Sequence, residues 1–329
     1  MLRRTRRTLW ILAAVLLLLA AAIYLRFKAP PEAARLLPES EGIVYLNLRP
    51  LRTVILQNLA HQNMQPITRA PDYQAFIDAT GIDWERDLDE AAVALHRMDD
   101  PRGPNGPVAY SMVLVGKLDG KALARYLEAH ARSKETYEGH TIFSLPSEGR
   151  TVRIAQIAYD MVAISNTPTP EQIHSMLERH RTAALPFAGS ALLAQYYSEM
   201  PLLSVAWGMG QIGLPFSEDG KLHVFGMGVP LPQDTTFLAS VSALKLRVIE
   251  IAPNENTAQS QAASLNLLLN LARGATAGLA NNTANTGLRE LLRTTAITQR
   301  RERVIVTASL PQELLGQLID ASSASSPSN

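Results

Sequence analysis

The chain has 329 residues, 47% of them apolar, enough for one large or two ordinary domains with substantial cores. It contains no cysteine, which excludes a lipoprotein thiol, a disulfide framework, thiolate metal sites and a cysteine nucleophile. The net charge is +1, but six basic and no acidic residues precede position 29, so the remainder carries 25 basic against 30 acidic groups, a balance of −5 that speaks against general nucleic-acid binding.

Leu9 to Leu25, LWILAAVLLLLAAAIYL, carries no charge and is long enough as a helix to cross most of a bilayer core. Leu9, Trp10, Leu16, Leu19, Ile23 and Leu25 are the side chains expected to span it. Arg3, Arg4, Arg6 and Arg7 set its direction, because positively charged flanks stay in the cytoplasm. Two readings compete: an uncleaved signal anchor, or a signal peptide cleaved at Ala20-Ala21-Ala22. The apolar run continues past that point through Ile23, Tyr24 and Leu25, which favours the anchor. Thr5 to Trp10 looks like a twin-arginine export motif; a plain basic flank is preferred, since no cofactor motif follows that would need folded export. The expected location is the bacterial inner membrane, with a single pass, the bilayer as partner of residues 9–25, and the C-terminal part outside the cytoplasm.

Residues 26–40 read as a proline-stiffened linker. Gly42 to Leu48 reads as a strand and Leu51 to His61 as a short helix. Asp72 to Thr80 can form a helix that stops at Gly81. Asp83 to Asp89 is acidic and reads as a solvated connection; it lacks the glycine and terminal glutamate of a calcium loop. Ala91 to His96 and Val108 to Val115 are strands around the turn-rich loop Asp99 to Pro107. The helix Lys121 to Arg132 places Leu123, Tyr126, Leu127 and His130 on one face. The strand HTIFSL follows, then a hairpin, Val152 to Ile157 and Met161 to Ile164, around Tyr159-Asp160. Thr169 is the expected cap of a helix running to about His180.

Gly189 to Glu199 reads as a helix, and Leu202 to Trp207, Leu222 to Val229, Phe237 to Ser242 and Leu244 to Ile251 as strands. Asn256 to Arg273 is a long helix with Thr257 as its start, and Ala275 to Gly287 is a loop or frayed end. After a short helix, Leu288 to Leu292, a hairpin joins Thr294 to Gln299 with Val304 to Ser309. Pro311 to Ile319 is a closing helix, and 321–329 a disordered tail. The pattern is α+β: a transmembrane helix, then two similar α+β halves, 41–181 and 182–320, with largely antiparallel sheets.

Four pieces together resemble a bacterial family of unknown function. They are Leu37 to Tyr45 (LPESEGIVY), the step Tyr137-Glu138-Gly139-His140-Thr141-Ile142, Ile164-Ser165-Asn166-Thr167-Pro168, and the helix Asn256 to Leu271 with the late hairpin. The likeness covers most of the chain after residue 36. It implies membrane-anchored, exported α+β domains and transfers no catalytic residues.

Motifs that could carry chemistry fail on context. Gly208-Met209-Gly210-Gln211-Ile212-Gly213 matches a dinucleotide fingerprint, but Leu214-Pro215 and a turn follow where a helix must start. It reads as a flexible strand exit. Gly116 to Lys121 is one residue short of a phosphate loop and has Ala122 where magnesium needs a hydroxyl. Ser242-Ala-Leu-Lys245 falls in a strand-turn-strand pattern, without the partner motifs of penicillin-recognising enzymes. His61, His96, His130, His140, His174, His180 and His223 show no metal spacing and read as surface or partly packed. No cofactor is expected. Leu265, Leu268 and Leu269 belong to a helix apolar on more than one face; burial is the favoured reading, and a partner or apolar-ligand surface the alternative. The functional expectation is binding or scaffolding at the membrane, with an envelope protein as partner. The alternatives are an envelope hydrolase with an unrecognised site and a carrier of an apolar ligand.

Overall fold

Gly42–Asn47 (β1) lies near the middle of the sheet and buries Ile43 and Tyr45 at alternate positions, as half-buried strands do. The computed structural model describes residues 15–17, 19–20, 29–50, 71–147, 149–182, 189–201, 204–211, 221–224, 227–230, 235–242, 245–277 and 283–311. Val15 to Leu17 and Leu19-Ala20 are helical, and Leu16 and Leu19 are exposed. Leu9, Trp10, Ile23, Leu25 and the four arginines lie outside the described residues, as do the expected helix 51–61 and the chain beyond Pro311. Among the described residues, no helix is long and apolar enough to cross a membrane.

Glu32–Arg35 (α1) precedes β1. Then come Pro71–Thr80 (α2), Trp84–Asp87 (α3), Leu88–Arg97 (β2), Val108–Gly116 (β3) and Gly120–His130 (α4). The strands Ser133–Tyr137 (β4), His140–Ser147 (β5), Arg150–Ala158 (β6) and Met161–Ser165 (β7) lead to the helix Glu171–Arg181 (α5). Ala191–Tyr196 (α6) ends in a 3₁₀ turn, Tyr197–Glu199. Next come Ala206–Gln211 (β8), the separate ribbon Lys221–Val224 (β9) and Met227–Pro230 (β10), then Thr236–Ser242 (β11) and Lys245–Ile251 (β12). Glu255–Ala277 (α7) and Thr283–Thr294 (α8) form a helical pair before Ala296–Arg300 (β13) and Arg303–Ser309 (β14).

Twelve strands form one antiparallel sheet in the order β13-β14-β12-β11-β8-β1-β2-β3-β7-β6-β5-β4. Outward from the β1–β8 seam, β2, β3, β7 and β6 on one side stand where β11, β12, β14 and β13 stand on the other. On each side the third strand is followed by a helix, and the chain returns by a hairpin whose last strand lies beside that third strand.

Strand alternation gives the sheet two apolar faces. On one face Ile43, Val113, Ala163, Met209, Leu238 and Ile249 meet the helices α1, α5 and α6 through Ala34, Met176 and Leu193 in a continuous core. Val162 faces the other way and meets Leu123 and Leu127 of α4. Val304 likewise packs on Ala258 and Ala262 of α7, whereas its neighbour Ile305 joins the larger core. The helix α4 and the pair α7–α8 therefore cover opposite ends of the same face.

Several expectations shift. Asp83 to Asp89 is not a solvated connection: Asp83 caps α3 by accepting from the Glu85 amide, Asp87 accepts from the Asp83 amide, and both are buried. The strand expected at Leu202 to Trp207 is Ala206–Gln211, because glycines facing the β1 backbone are tolerated there despite their low strand propensity. Thr169 does not cap α5; its hydroxyl donates to the Glu171 carboxylate, and Pro170 occupies the cap position. Asn254 rather than Thr257 caps α7, accepting from the Thr257 amide at 2.9 Å. The stretch from Ala275, expected as a loop or frayed helix end, is helical to Ala277, and α8 starts at Thr283 rather than Leu288. The Tyr137–His140 step is a two-residue hairpin turn, with Glu138 at φ 47° and Gly139 at φ 81°.

Candidate functional site

The most unusual surface belongs to α7. No charged side chain occurs between Glu255 and Arg273, so the solvent side of this long helix is neutral where a surface helix ordinarily carries charge. Ala258, Ala262, Leu269 and Ala272 point inward and are buried, the first two against Val304 and the last two against Leu292. Leu265 is half-buried against the same packing. The outward side carries Leu267, 62% exposed, and Leu271, 54% exposed, one turn apart. Gln259, Ser260, Ala263, Ser264, Asn270, Gly274 and Ala275 complete that exposed side. Arg273 leaves it: its guanidinium donates to the carbonyls of Leu292 and Thr295 at 2.9 and 2.7 Å, closing the C-terminal end of α8 with positive charge. Of the three leucines singled out in sequence, Leu265 and Leu269 thus serve the core, Leu268 is half-buried, and the surface pair is Leu267 and Leu271.

Three polar features compete for attention. The first is a cleft of about 580 Å³ at the sheet end, lined by Arg49, Asp87, Asp89, Lys117, Asp119 and Asp160 among others. Its charges are largely spent on one another. Arg49 pairs with Asp89 at 3.2 Å and Arg86 with Asp87 at 2.7 Å, while Asp119 caps α4. The second is a buried line of hydroxyls. His96 Nε2 lies 2.9 Å from Ser111 Oγ, Ser111 Oγ 3.2 Å from Ser165 Oγ, and Ser165 Oγ 2.8 Å from Thr167 Oγ1. Burial holds the His96 imidazolium pKa below its ordinary value, opposed by the Glu41 carboxylate. A histidine beside a serine suggests a nucleophile and base, yet Ser111 and Ser165 have no exposure to solvent. The line joins β2, β3 and β7 as structure. The third is Glu250, only 4% exposed, whose carboxyl pKa is pushed by desolvation up to about 7. Among the described residues its Oε1 has no hydrogen-bond partner.

No protein-family model matches the chain, and no curated protein matches it. Among solved structures the fold is similar to crystal form III of TP0453, with 11% identity, a TM-score of 0.47, and coverage of 89% of this chain and 99% of that one. Crystal form I of the same protein gives a TM-score of 0.43 at 11% identity, covering 89% of this chain and 98% of that one.

The sequence motifs resolve structurally. Gly208 and Gly210 sit inside β8, not at its exit, opposite Val44 and Gly42; Gly213 lies outside the described residues. A Cβ on Gly210 would lie 2.8 Å from the Glu41 carbonyl oxygen and 2.9 Å from Gly42 Cα, so close strand approach accounts for this glycine. Ser242 ends β11 and Lys245 begins β12, and the two residues pair directly across the strands rather than sharing a helix face. His174 stacks on Tyr137 at 3.8 Å and meets Glu135 at 3.1 Å. Among the described residues no group of three His, Cys, Asp or Glu side chains could hold a metal. Sequence reading missed the buried His96; the signal was its phase with Ala92 and Ala94, four and two residues earlier on the buried side of β2.

Proposed function

We propose that this chain is a membrane-anchored extracytoplasmic protein that binds or scaffolds another protein, with residues 9–25 as the anchor in a bacterial inner membrane. The observation that carries this reading is the neutral outward side of α7, with Leu267 and Leu271 each more than half exposed. Two exposed leucines one turn apart on an uncharged helix fit the apolar centre of a protein interface, where charge is depleted. Membership of an uncharacterised bacterial family of anchored, exported α+β proteins is part of the same proposal. So is descent of the two sides of the sheet from one repeated unit, which the matching strand order around the β1–β8 seam supports.

The test is crosslinking and affinity recovery of the full chain from membranes, beside a chain lacking residues 1–28 and a Leu267→Glu, Leu271→Glu variant. The expected result is membrane retention only with residues 1–28, and a recovered complex that the double variant loses. A folded double variant that retains every recovered partner removes α7 from the reading. A full chain found outside the membrane fraction removes the anchor.

A further inference from the structure

The hairpin turn between β4 and β5 and the end of α5 bring two histidines together. Glu138 and Gly139 form the turn, and the strand register sets Tyr137 directly opposite His140. Residues directly opposite in an antiparallel pair stand on the same face of the sheet. Here that is the face covered by α5. Three contacts hold the helix over the turn. His174 stacks on the Tyr137 ring at 3.8 Å, the Tyr137 phenol donates to the Glu178 carboxylate, and Arg181 pairs with Glu138 at 2.9 Å. His180, in the last turn of α5, lies edge to face with His140, ring centroids 6.4 Å apart. Both histidines are half-buried.

Their ring nitrogens suit a metal. His140 Nδ1 lies 3.0 Å from the Gln156 carbonyl oxygen. A carbonyl can only accept, so Nδ1 carries the proton and Nε2 keeps a free lone pair. This is the outer hydrogen bond that fixes tautomer and ring orientation in metal-ligating histidines. Among the described residues the His180 ring makes no hydrogen bond or ion pair, so its unprotonated nitrogen is also free to ligate. With metal–nitrogen bonds of about 2.0–2.1 Å, two coordinated rings have centres about 5–6.5 Å apart, according to the angle at the metal. The observed spacing falls at the open end of that range.

Charge around the pair favours a cation. Glu138 neutralises Arg181, and Glu178 adds a carboxylate two residues before His180. The C-terminal end of a helix also carries partial negative charge. Imidazole nitrogens suit copper, nickel and zinc, whereas magnesium and calcium take oxygen ligands. Among the described residues no third His, Cys, Asp or Glu joins the pair, so water completes the coordination and binding is weaker than in a closed structural site.

We infer that His140 and His180 form a two-histidine site for a divalent transition-metal cation, bridging β5 and α5 and binding Cu²⁺ more tightly than Ni²⁺ or Zn²⁺. The site is separate from the α7 face, and neither reading depends on the other.

The test titrates Cu²⁺ alone into the full chain in detergent, prepared without a histidine tag. The expected result is a single bound Cu²⁺ whose electron paramagnetic resonance spectrum shows coupling to two ring nitrogens. His180→Gln removes no hydrogen bond. It should weaken binding at least about tenfold, the loss that follows even from removing an outer support of a metal ligand, and leave one coupled nitrogen. Unchanged affinity and coupling in that variant overturn the pair. His140→Gln keeps a donor for the Gln156 carbonyl and should lose as much; if it fails to fold by circular dichroism, His180→Gln decides alone. The double variant retains the other five histidines and measures adventitious binding. Wild-type affinity there would mean an adventitious ion only. His130→Gln is the matched control: His130 Nδ1 also donates to a carbonyl, that of Tyr126 at 2.8 Å, but its ring stacks on Tyr126 rather than on a second histidine. It should bind Cu²⁺ as the wild type does, and a loss equal to that of His180→Gln would contradict the assignment. Zn²⁺ should compete with Cu²⁺ where Mg²⁺ and Ca²⁺ do not; equal competition by all three would overturn the metal class.

Discussion

Tyr45 and Trp207 sit directly opposite each other across the β1–β8 pairing, and their rings stack with centroids 5.3 Å apart. Tyr197 adds an edge contact on the Trp207 ring at 5.5 Å. Both stacked rings are buried, so they join the two sides of the sheet where its hydrogen bonding crosses from one to the other. The phenol of Tyr45 is held strongly protonated by desolvation first and by the neighbouring Glu90 carboxylate second.

Trp207→Ala removes the larger ring from that seam and leaves a cavity. The expected cost is about 3–5 kcal/mol in chemical denaturation, with Trp207→Phe costing clearly less because it keeps an aromatic surface against Tyr45. Two separate unfolding transitions in Trp207→Ala would show that the two sides are stable units once the seam is weakened. A loss under 1 kcal/mol in a single transition would contradict a central role for the stack.

Gly210→Ala tests the closest approach in the same seam. The new methyl would meet backbone atoms of Glu41 and Gly42 rather than a side chain able to turn away. The strands must separate locally, at a cost of about 1–3 kcal/mol. Gly208→Ala has more room, since its nearest contact is 3.4 Å, and should cost less. A denaturation series in which Gly208→Ala is the more damaging would refute this account of the glycine pattern.

The strands β3 and β6 and the helix α4 were legible because their apolar residues recur at the spacing of the structure they form, and β7 because its short apolar run MVAI is bounded by turn residues. β8 was not, because Gly208 and Gly210 lower its strand signal and their use depends on the approach of β1, a contact far away in sequence. Asp83 and Asp87 read as solvated because charge alone was visible; their burial depends on capping a four-residue turn and on the phenol of Tyr73, which donates to Asp83 at 3.2 Å. The leucine-rich helix was recognised, but which leucines face outward depends on where β14 and α8 lie. Leu265 and Leu269 follow the favoured reading, burial, while of the alternative surface Leu265, Leu268 and Leu269 none is among the most exposed residues, which are Leu267 and Leu271.

Ser111→Ala cuts the buried hydroxyl line at its centre. It leaves the His96 Nε2 and Ser165 Oγ contacts without their shared partner, at an expected cost of about 1–3 kcal/mol. His96 binds its proton less readily in the folded chain than at its ordinary 6.5. The native advantage is therefore complete above pH 6.5 and shrinks as pH falls below it, because the unfolded chain takes up the proton first. His96→Gln should remove that acid-side loss; an unchanged slope below pH 6.5 in this variant would exclude His96 as its source.

Glu250 acts with the opposite sign. Its carboxyl titrates near 7 in the folded chain against an ordinary 4.5. Between those values the folded state holds a proton that the unfolded state has released, so stability falls as pH rises from 4.5 to about 7 and is level above. The full span is on the order of 3 kcal/mol, from about 1.4 kcal/mol per unit of pKa. In the wild-type chain this fall and the His96 rise oppose each other just below pH 6.5. Glu250→Gln removes the fall while keeping shape and one acceptor, so it should be more stable than wild type at pH 8, and its stability should climb from pH 5 to 6.5 where the wild-type profile is flatter. The measurement is denaturant unfolding at pH 5, 6.5 and 8 on both proteins. Identical profiles would mean that Glu250 finds a partner in solution and titrates as an ordinary carboxylate.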